Sequence, residues 1–287
     1  MGHIITDLKE TFRRGNTFIR LIYINVGIFV IGTLISVILQ LFNLSATGIF
    51  DLFALPASLH RFILQPWSLL SYMFMHAGFL HILFNMLWLY WFGGLFRGLY
   101  VLGGICGGLF YMIAYNIFPY FSQTLPFSTL VGASASVLAI VAATAYREPN
   151  YRVQLFLFGA VRLKYLALIV IGTDLLFITS NNAGGHIAHL GGALAGLWFA
   201  ASLSKGKDVT YWINWFLDGF ASLFQKKTWK RKPKMKVHYG SDTSREKDYD
   251  YNARKKAQSD EVDRILEKLK KSGYESLTTE EKKSLFD

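Results

Sequence analysis

Cysteine is almost absent from this 287-residue chain: Cys106 stands alone, which excludes an intramolecular disulfide and a thiolate metal cluster. Charge is scarce too, and unevenly so. Residues 1–202 hold 10 Lys/Arg and 5 Asp/Glu, against 20 and 14 in residues 203–287. Two hundred residues with so few charges cannot clothe a water-soluble surface, so the first two thirds reads as a membrane domain and the last third as a soluble, charged tail. The net charge of +11 divides into +5 and +6 across that boundary, so neither part carries the concentrated footprint of a nucleic-acid binder. The HExxH pattern and clustered carboxylates of metal hydrolases are also missing.

What is present in quantity is apolar sequence. Six runs approach the ~20 residues that a bilayer helix needs. They are Leu21–Phe42, Leu69–Phe92, Tyr100–Phe118, Val131–Tyr146, Tyr165–Ser180 and Ile187–Leu203. The fourth and sixth are short, which suits helices enclosed by neighbours. The first follows Lys9, Arg13, Arg14 and Arg20, is too long for a signal-peptide core, and reads as an uncleaved anchor. Asn43–Ser68 is apolar yet broken by Asp51, Pro56, His60, Arg61 and Pro66, the pattern of a membrane-associated loop with short helical pieces.

Basic residues orient these runs. Alternate connections hold Lys9, Arg13, Arg14 and Arg20, then Arg97, then Arg147, Arg152, Arg162 and Lys164, then Lys205 and Lys207, whereas the opposite connections hold only Arg61. Both termini are therefore expected in the cytoplasm, with the fourth and sixth runs beginning at the outer face. Ser134 opens the fourth run and His189 lies near the start of the sixth, so the two share a depth. Gly184, Ala188, Gly192 and Gly196 recur every four residues and give the sixth run a smooth face for close helix approach.

Polar side chains are costly within a bilayer, and each is a functional candidate. A serine and a histidine on two packed helices are the minimum parts for nucleophilic acyl transfer. The second run adds His76, His81 and Asn85; His81 and Asn85, four apart, share a helical face. Their N–H groups, with the backbone N–H of Ser134, suit an oxyanion hole, and they suit plain interhelical hydrogen bonding equally well. His186, three residues before His189, fits hydrogen-bond support better than catalysis.

His81-Ile82-Leu83-Phe84-Asn85, Gly132-Ala133-Ser134 and Ala188-His189-x-x-Gly192-x-x-x-Gly196 together resemble the three signature motifs of the rhomboid intramembrane serine proteases, of the bacterial six-span type. The resemblance covers about residues 15–203. It implies an all-α membrane protein, a six-transmembrane-helix bundle with a membrane-associated first loop. It further implies Ser134 as nucleophile, His189 as general base and acid, Asn85 and His81 as oxyanion donors, and no cofactor or metal. His76, His186 and Trp67, which matches a tryptophan of the family's first loop, are expected just outside the reacting groups. Three positions depart from the pattern: Ser68 stands where an arginine is usual, Ala135 where a second glycine is, and Leu138 where an aromatic residue often stacks on the histidine. Asp174, the only acid inside a run, resembles an acid of the family's fifth helix. It is expected to be a structural hydrogen-bond acceptor rather than a third triad member.

The remaining organisation is read from composition. Residues 1–20 form a cytoplasmic segment and 21–203 the helix bundle. Residues 204–236 form an interfacial segment, in which Trp212, Trp215, Phe216, Phe220 and Phe224 precede a run of lysines and arginines suited to an anionic lipid surface. Residues 237–258 are expected to be a disordered linker. Residues 259–287 are expected to form a small helical hairpin, with Val262, Ile265, Leu266 and Leu269 at helical spacing, Gly273 as a stop and a capping box at Thr278-x-x-Glu281. The expected partners are single-span membrane proteins and the bilayer, not nucleic acid. The expected setting is a bacterial cytoplasmic membrane. A protein that only binds membrane helices, and a metal-dependent enzyme or transporter using His76, His81, His186 and His189, are the competing classes.

Overall fold

Apolar periodicity without interruption gives helices, and the computed structural model is built of them. It describes residues 6, 10–12, 17–93, 97–155, 159–224 and 242–284. The first unit, residues 1–225, contains seven principal helices among the described residues. These are α1 (Thr17–Leu41), α2 (Phe79–Phe92), α3 (Arg97–Ile117), α4 (Ser134–Arg147), α5 (Leu163–Leu176), α6 (Ala183–Ser204) and α7 (Tyr211–Phe224). Three of them, α1, α3 and α6, are long and apolar enough to cross a membrane, or four if α2 is joined to the helical pieces at Ser68–Phe74.

That join corrects the expectation of one continuous second span over Leu69–Phe92. The pieces meet at 93°. Met75 and Gly78 are extended (φ −89°, ψ 141° and φ −174°, ψ 169°), so His76 sits in a break and not on a helix face. Hydropathy is blind to such a bend because the sequence on both sides of it is predominantly apolar.

Helix α4 lies at the centre. Its residues Ala135 to Ala143 are all buried, and it packs against α3 and α6. Small residues make this possible. A Cβ on Gly192 would collide with the backbone carbonyl of Ala135, and one on Gly196 with that of Ala139, so α4 and α6 approach backbone to backbone. Of the small-residue face read from the sequence, Gly192 and Gly196 make the α4 contact, while Gly184 and Ala188 lie against Tyr111 and Gly107 of α3. From the other side, Gly103 and Gly107 of α3 lie against Ala139 and Ala135.

The first loop is tied down at several points. Strands β1 (Leu55–Pro56) and β2 (Thr129–Leu130) pair antiparallel, Leu55 opposite Leu130, and so fix the segment that enters α4. Gln65 Nε2 donates to the carbonyls of Asp51 and Ala54, and Ser71 Oγ to that of Phe53. Between α4 and α5, strands β3 (Arg152–Leu155) and β4 (Gly159–Arg162) form a second hairpin.

Helix α7 corrects a boundary. Thr210 and Ile213 are each 2% exposed, and α7 packs on α3 beside Gly98, so this amphipathic segment is docked on the bundle. Trp212, Trp215 and Phe216 nevertheless point outward. The basic run expected at 226–236 lies outside the described residues.

The second unit, residues 226–287, holds α8 (Asp242–Ser272) and α9 (Thr279–Ser284). Helix α8 corrects the disordered linker: from Asp242 onward the polar stretch is helical. Pairs such as Glu267–Lys271 at 3.0 Å support a helix that has little else to recommend it. The hairpin itself follows the expected signals. Gly273 turns the chain at φ 76°, Thr278 N–H donates to Glu281 Oε2 at 2.8 Å, and Glu281 N–H returns to Thr278 Oγ1 at 3.3 Å. Lys268 Nζ reaches Glu281 at 2.8 Å across the turn, and Ile265 and Leu277 are buried.

Candidate active site

Ser134 is the first residue of α4, so its backbone N–H belongs to the first turn, which has no intrahelical acceptor. The approach to it needs a glycine. Gly132 has φ +131°, a region L side chains rarely adopt, and its N–H donates to the Tyr72 carbonyl at 2.9 Å. The ring of His81 lies where a Cβ on Gly132 would stand, at 2.8 Å. Glycine here serves both the turn and the close approach of an imidazole.

The backbone contact between α4 and α6 brings His189 to Ser134, with His189 Nε2 at 2.6 Å from Ser134 Oγ. On its other side His189 Nδ1 lies 2.9 Å from Asp174 Oδ1, and His186 Nδ1 lies 2.8 Å from the same oxygen. A carboxylate only accepts, so both Nδ1 atoms carry hydrogen and donate to it; His189 Nε2 then accepts the Ser134 hydroxyl. The result is a line of contacts from α4 through α6 to α5.

A cleft of about 380 Å³ opens over Ser134 and His189 and is lined by His81 and Asn85 as well. Trp88, Val137, Leu138 and Val170 give it apolar walls. Asn85 Nδ2 donates to the His81 carbonyl at 2.8 Å, which uses one of its two amide hydrogens and leaves the other for a ligand.

Of the residues singled out from the sequence, Ser134, His189, Asn85 and His81 therefore share one cavity. His186 adjoins them through Asp174. His76 stacks edge-on against His81 with ring centroids 5.1 Å apart but does not line the cleft. Trp67 stands away from it, its Nε1–H donating to the Leu52 carbonyl at 2.8 Å in the first loop. At Ser68, where the family pattern has arginine, the side chain is fully buried.

The contact that spacing did not reveal is the one to Asp174. Its side chain is 5% exposed, and the signal was present, since it is the sole acid within a span. What was missing was the geometry linking residues 15 apart on different helices. The Asp174, His186 and His189 ligand atoms lie within 4.8 Å of one another, the one grouping among the described residues close enough to hold a metal ion. A tetrahedral zinc with bonds of ~2.0–2.1 Å separates its ligand atoms by roughly 3.3–3.4 Å. The two contacts to Asp174, at 2.8 and 2.9 Å, have hydrogen-bond lengths instead.

Comparison with known proteins finds two family matches. Residues 64–206 match a family model described as the Rhomboid domain. Residues 245–287, within the second unit, match a family of unknown function (DUF6576). The chain is similar to "Rhomboid-related protein 2" of Mus musculus, 31% identical over 172 residues that make up 52% of this chain and 54% of that protein. It is also similar to "RHOMBOID-like protein 12, mitochondrial" of Arabidopsis thaliana, 30% identical over 161 residues, 49% of this chain and 47% of that protein. The chain spans about half the length of the curated relatives it matches.

Proposed function

We propose that this chain, which belongs to the rhomboid family, is an intramembrane serine endopeptidase that cleaves the transmembrane segments of single-span proteins near the outer face. The observation that carries the reading is the 2.6 Å contact between His189 Nε2 and Ser134 Oγ, at the floor of an open cleft. A serine hydroxyl is a poor nucleophile unless a base at ~2.6–3.2 Å takes its proton.

Ser134 Oγ attacks the scissile carbonyl carbon while its proton passes to His189 Nε2. The Ser134 N–H, the free Asn85 amide hydrogen and His81 donate to the oxyanion. His189 Nε2–H then protonates the leaving amine as the C–N bond breaks, which leaves an ester on Ser134. Water attacks the ester, giving one proton to Nε2, and Oγ recovers its hydrogen as the acid departs. No cofactor enters either half.

The bundle we infer has six spans with both termini cytoplasmic. Within that bundle the helix lengths set the depth of the site. Fourteen residues of α4 rise roughly 21 Å, short of the ~30 Å hydrocarbon core, so a helix ending with Arg147 at the inner surface starts roughly 9 Å below the outer one. His189 is six residues into α6, again roughly 9 Å from its outer end. A substrate helix must unwind to present a carbonyl at that depth, since its backbone groups are already paired. This favours small and helix-destabilising residues at the cleavage site.

The test is covalent labelling by a serine-directed fluorophosphonate, together with cleavage of a single-span substrate in liposomes, with and without chelator. Wild type labels and cleaves under both conditions, and Ser134→Ala and His189→Ala do neither while remaining folded. Turnover by Ser134→Ala, or loss of wild-type turnover on chelation alone, would overturn the proposal.

A further inference from the structure

We propose that Asp174 is a positioning residue for His189, holding its imidazole in the Nδ1–H tautomer so that Nε2 faces Ser134 with a lone pair, and stabilising the imidazolium that forms when Ser134 gives up its proton. The inference rests on the serine-protease reading above and deepens it. It replaces the structural role read for Asp174 from the sequence.

A neutral imidazole has two tautomers, and only one is a base toward Ser134. If the hydrogen sits on Nε2, the nucleophile meets a donor and the reaction does not start. Asp174 decides between them because its Oδ1 lies 2.9 Å from Nδ1 and accepts only. The carboxylate is itself held, since His186 Nδ1–H donates to the same oxygen at 2.8 Å from one turn earlier on α6. Its other oxygen is buried with no hydrogen-bond partner, so among the described residues the two imidazoles are the hydrogen-bond partners of this acid. A carboxylate placed in a bilayer solely to tie α5 to α6 would be served better by contacts through both oxygens. Here both converge on the oxygen that abuts the catalytic ring.

The other neighbours of His189 do not supply this control. Leu138 offers no ring to stack on it. Ser134 from α4 and His81 from α2 face the cleft side, and His186 on the same helix is engaged with Asp174. Ser134, His81, His186 and Asp174 are the polar or titratable groups described around the imidazole, and Asn85 and Asn182 line the same cleft. Asp174 is the acid among them, and it carries no proton of its own through the cycle: the hydrogen on Nδ1 stays there while the one on Nε2 comes and goes.

The experiment compares full-length wild type with Asp174→Asn, an isosteric change, in the same liposomes. Turnover is measured against pH, and fluorophosphonate labelling rates are measured in parallel. The variant is expected to lose about 10²-fold or more in kcat with KM within about threefold. The acid limb of its kcat profile is expected to shift to lower pH, because the imidazolium has lost its counter-charge. A merely structural acid would lower the folded yield but leave kcat per folded molecule and the acid limb in place, and that result overturns the proposal. Nitrogen-15 NMR of His189 in the wild type gives an answer that does not depend on how the variant folds. An Nδ1–H tautomer supports the role of Asp174, and an Nε2–H tautomer refutes it. Failure of wild type to label at Ser134 at all is a separate result, which removes the serine-protease reading and this inference with it.

Discussion

Helices α1 and α4 are both apolar, yet they are buried to opposite extents. In α1, Phe18 and Asn25 are the buried residues of 25, while in α4 nine consecutive residues of 14 are buried. Composition explains the difference better than hydrophobicity does. Helix α1 is rich in Ile, Val and Leu, which lipid tails solvate as well as a protein core does, so nothing drives those side chains inward. Helix α4 is rich in Ala and Ser, whose small size lets backbones of α3 and α6 come close. In a bilayer, small residues mark the interior and large apolar ones mark the rim. The chemistry sits on the interior helix because a serine there can meet a histidine at hydrogen-bond distance, away from lipid.

Each helix or its partner offers a buried asparagine, and the pair gives the sharpest contrast. Asn85, facing α4 across the cleft, is expected to matter to turnover: Asn85→Ala lowers kcat by about 10²–10³-fold with less change in KM. Asn25 of α1 donates to the Leu21 carbonyl at 2.8 Å and lies 3.4 Å from the Tyr100 hydroxyl, an interhelical tie and no more. Asn25→Ala is expected to cost about 1 kcal/mol of stability and leave kcat of the folded protein unchanged. Kinetics and melting in one detergent check both. Equal kinetic effects would erase the distinction between interior and rim.

Glycines extend the comparison. At Gly192 of α6 an added methyl meets the Ala135 carbonyl, which belongs to backbone and cannot swing aside; at Gly27 of α1 it meets nothing within 4 Å. Gly192→Ala should push α6 from α4 and stretch the Ser134–His189 contact, and a misplacement near 1 Å costs about 10²-fold in rate. Gly27→Ala should leave turnover as it was. Substrate cleavage by the two variants at matched folded concentration decides it.

Isoleucines give the thermodynamic version. Ile140 of α4 is 1% exposed and Ile31 of α1 is 60% exposed. Ile140→Ala leaves a cavity between packed helices and is expected to cost about 2–4 kcal/mol. Ile31→Ala exchanges one lipid contact for another and should stay within about 0.5 kcal/mol. The readout is the unfolding free energy of each variant in the same micelles.

These contrasts also explain what the sequence could convey. The α4–α6 contact was legible because Gly192 and Gly196 repeat at helical spacing, and the site was legible because Ser134 and His189 are polar residues where polar residues are costly. The break at His76 was not, since a bend within apolar sequence changes no residue's preference for lipid. The Asp174–His189 contact was not, because residue spacing along one helix says nothing about which side of another helix it meets. Helix α8 was hidden for the opposite reason: its charges match the composition of a disordered segment, and only their i,i+4 order favours a helix.

The smallest effect is expected where the two helices matter least, in the second unit. A cut after Ser204, at the end of α6, would remove α7, which is docked on α3 through Thr210 and Ile213, and so strip a packed face from the bundle. The cut belongs after Gln225, at the boundary between the two units. Residues 226–287 then leave as a piece that holds itself together. Lys268 donates to the Glu281 carboxylate and holds it below the usual glutamate range, at about 2, with the Thr278 N–H assisting. A carboxylate depressed in this way supports its fold fully above the ordinary glutamate value of about 4.3, and loses that contribution as pH falls toward about 2. The isolated 226–287 fragment should therefore lose helicity by circular dichroism over that window, and Glu281→Gln should flatten the transition. The bundle cut after Gln225 should cleave one fixed substrate in identical liposomes within about twofold of the full chain, under ~0.5 kcal/mol in barrier. A folded bundle that loses most of its turnover on this cut would show that the second unit acts on the α4–α6 site, and interior packing alone would then not account for the activity.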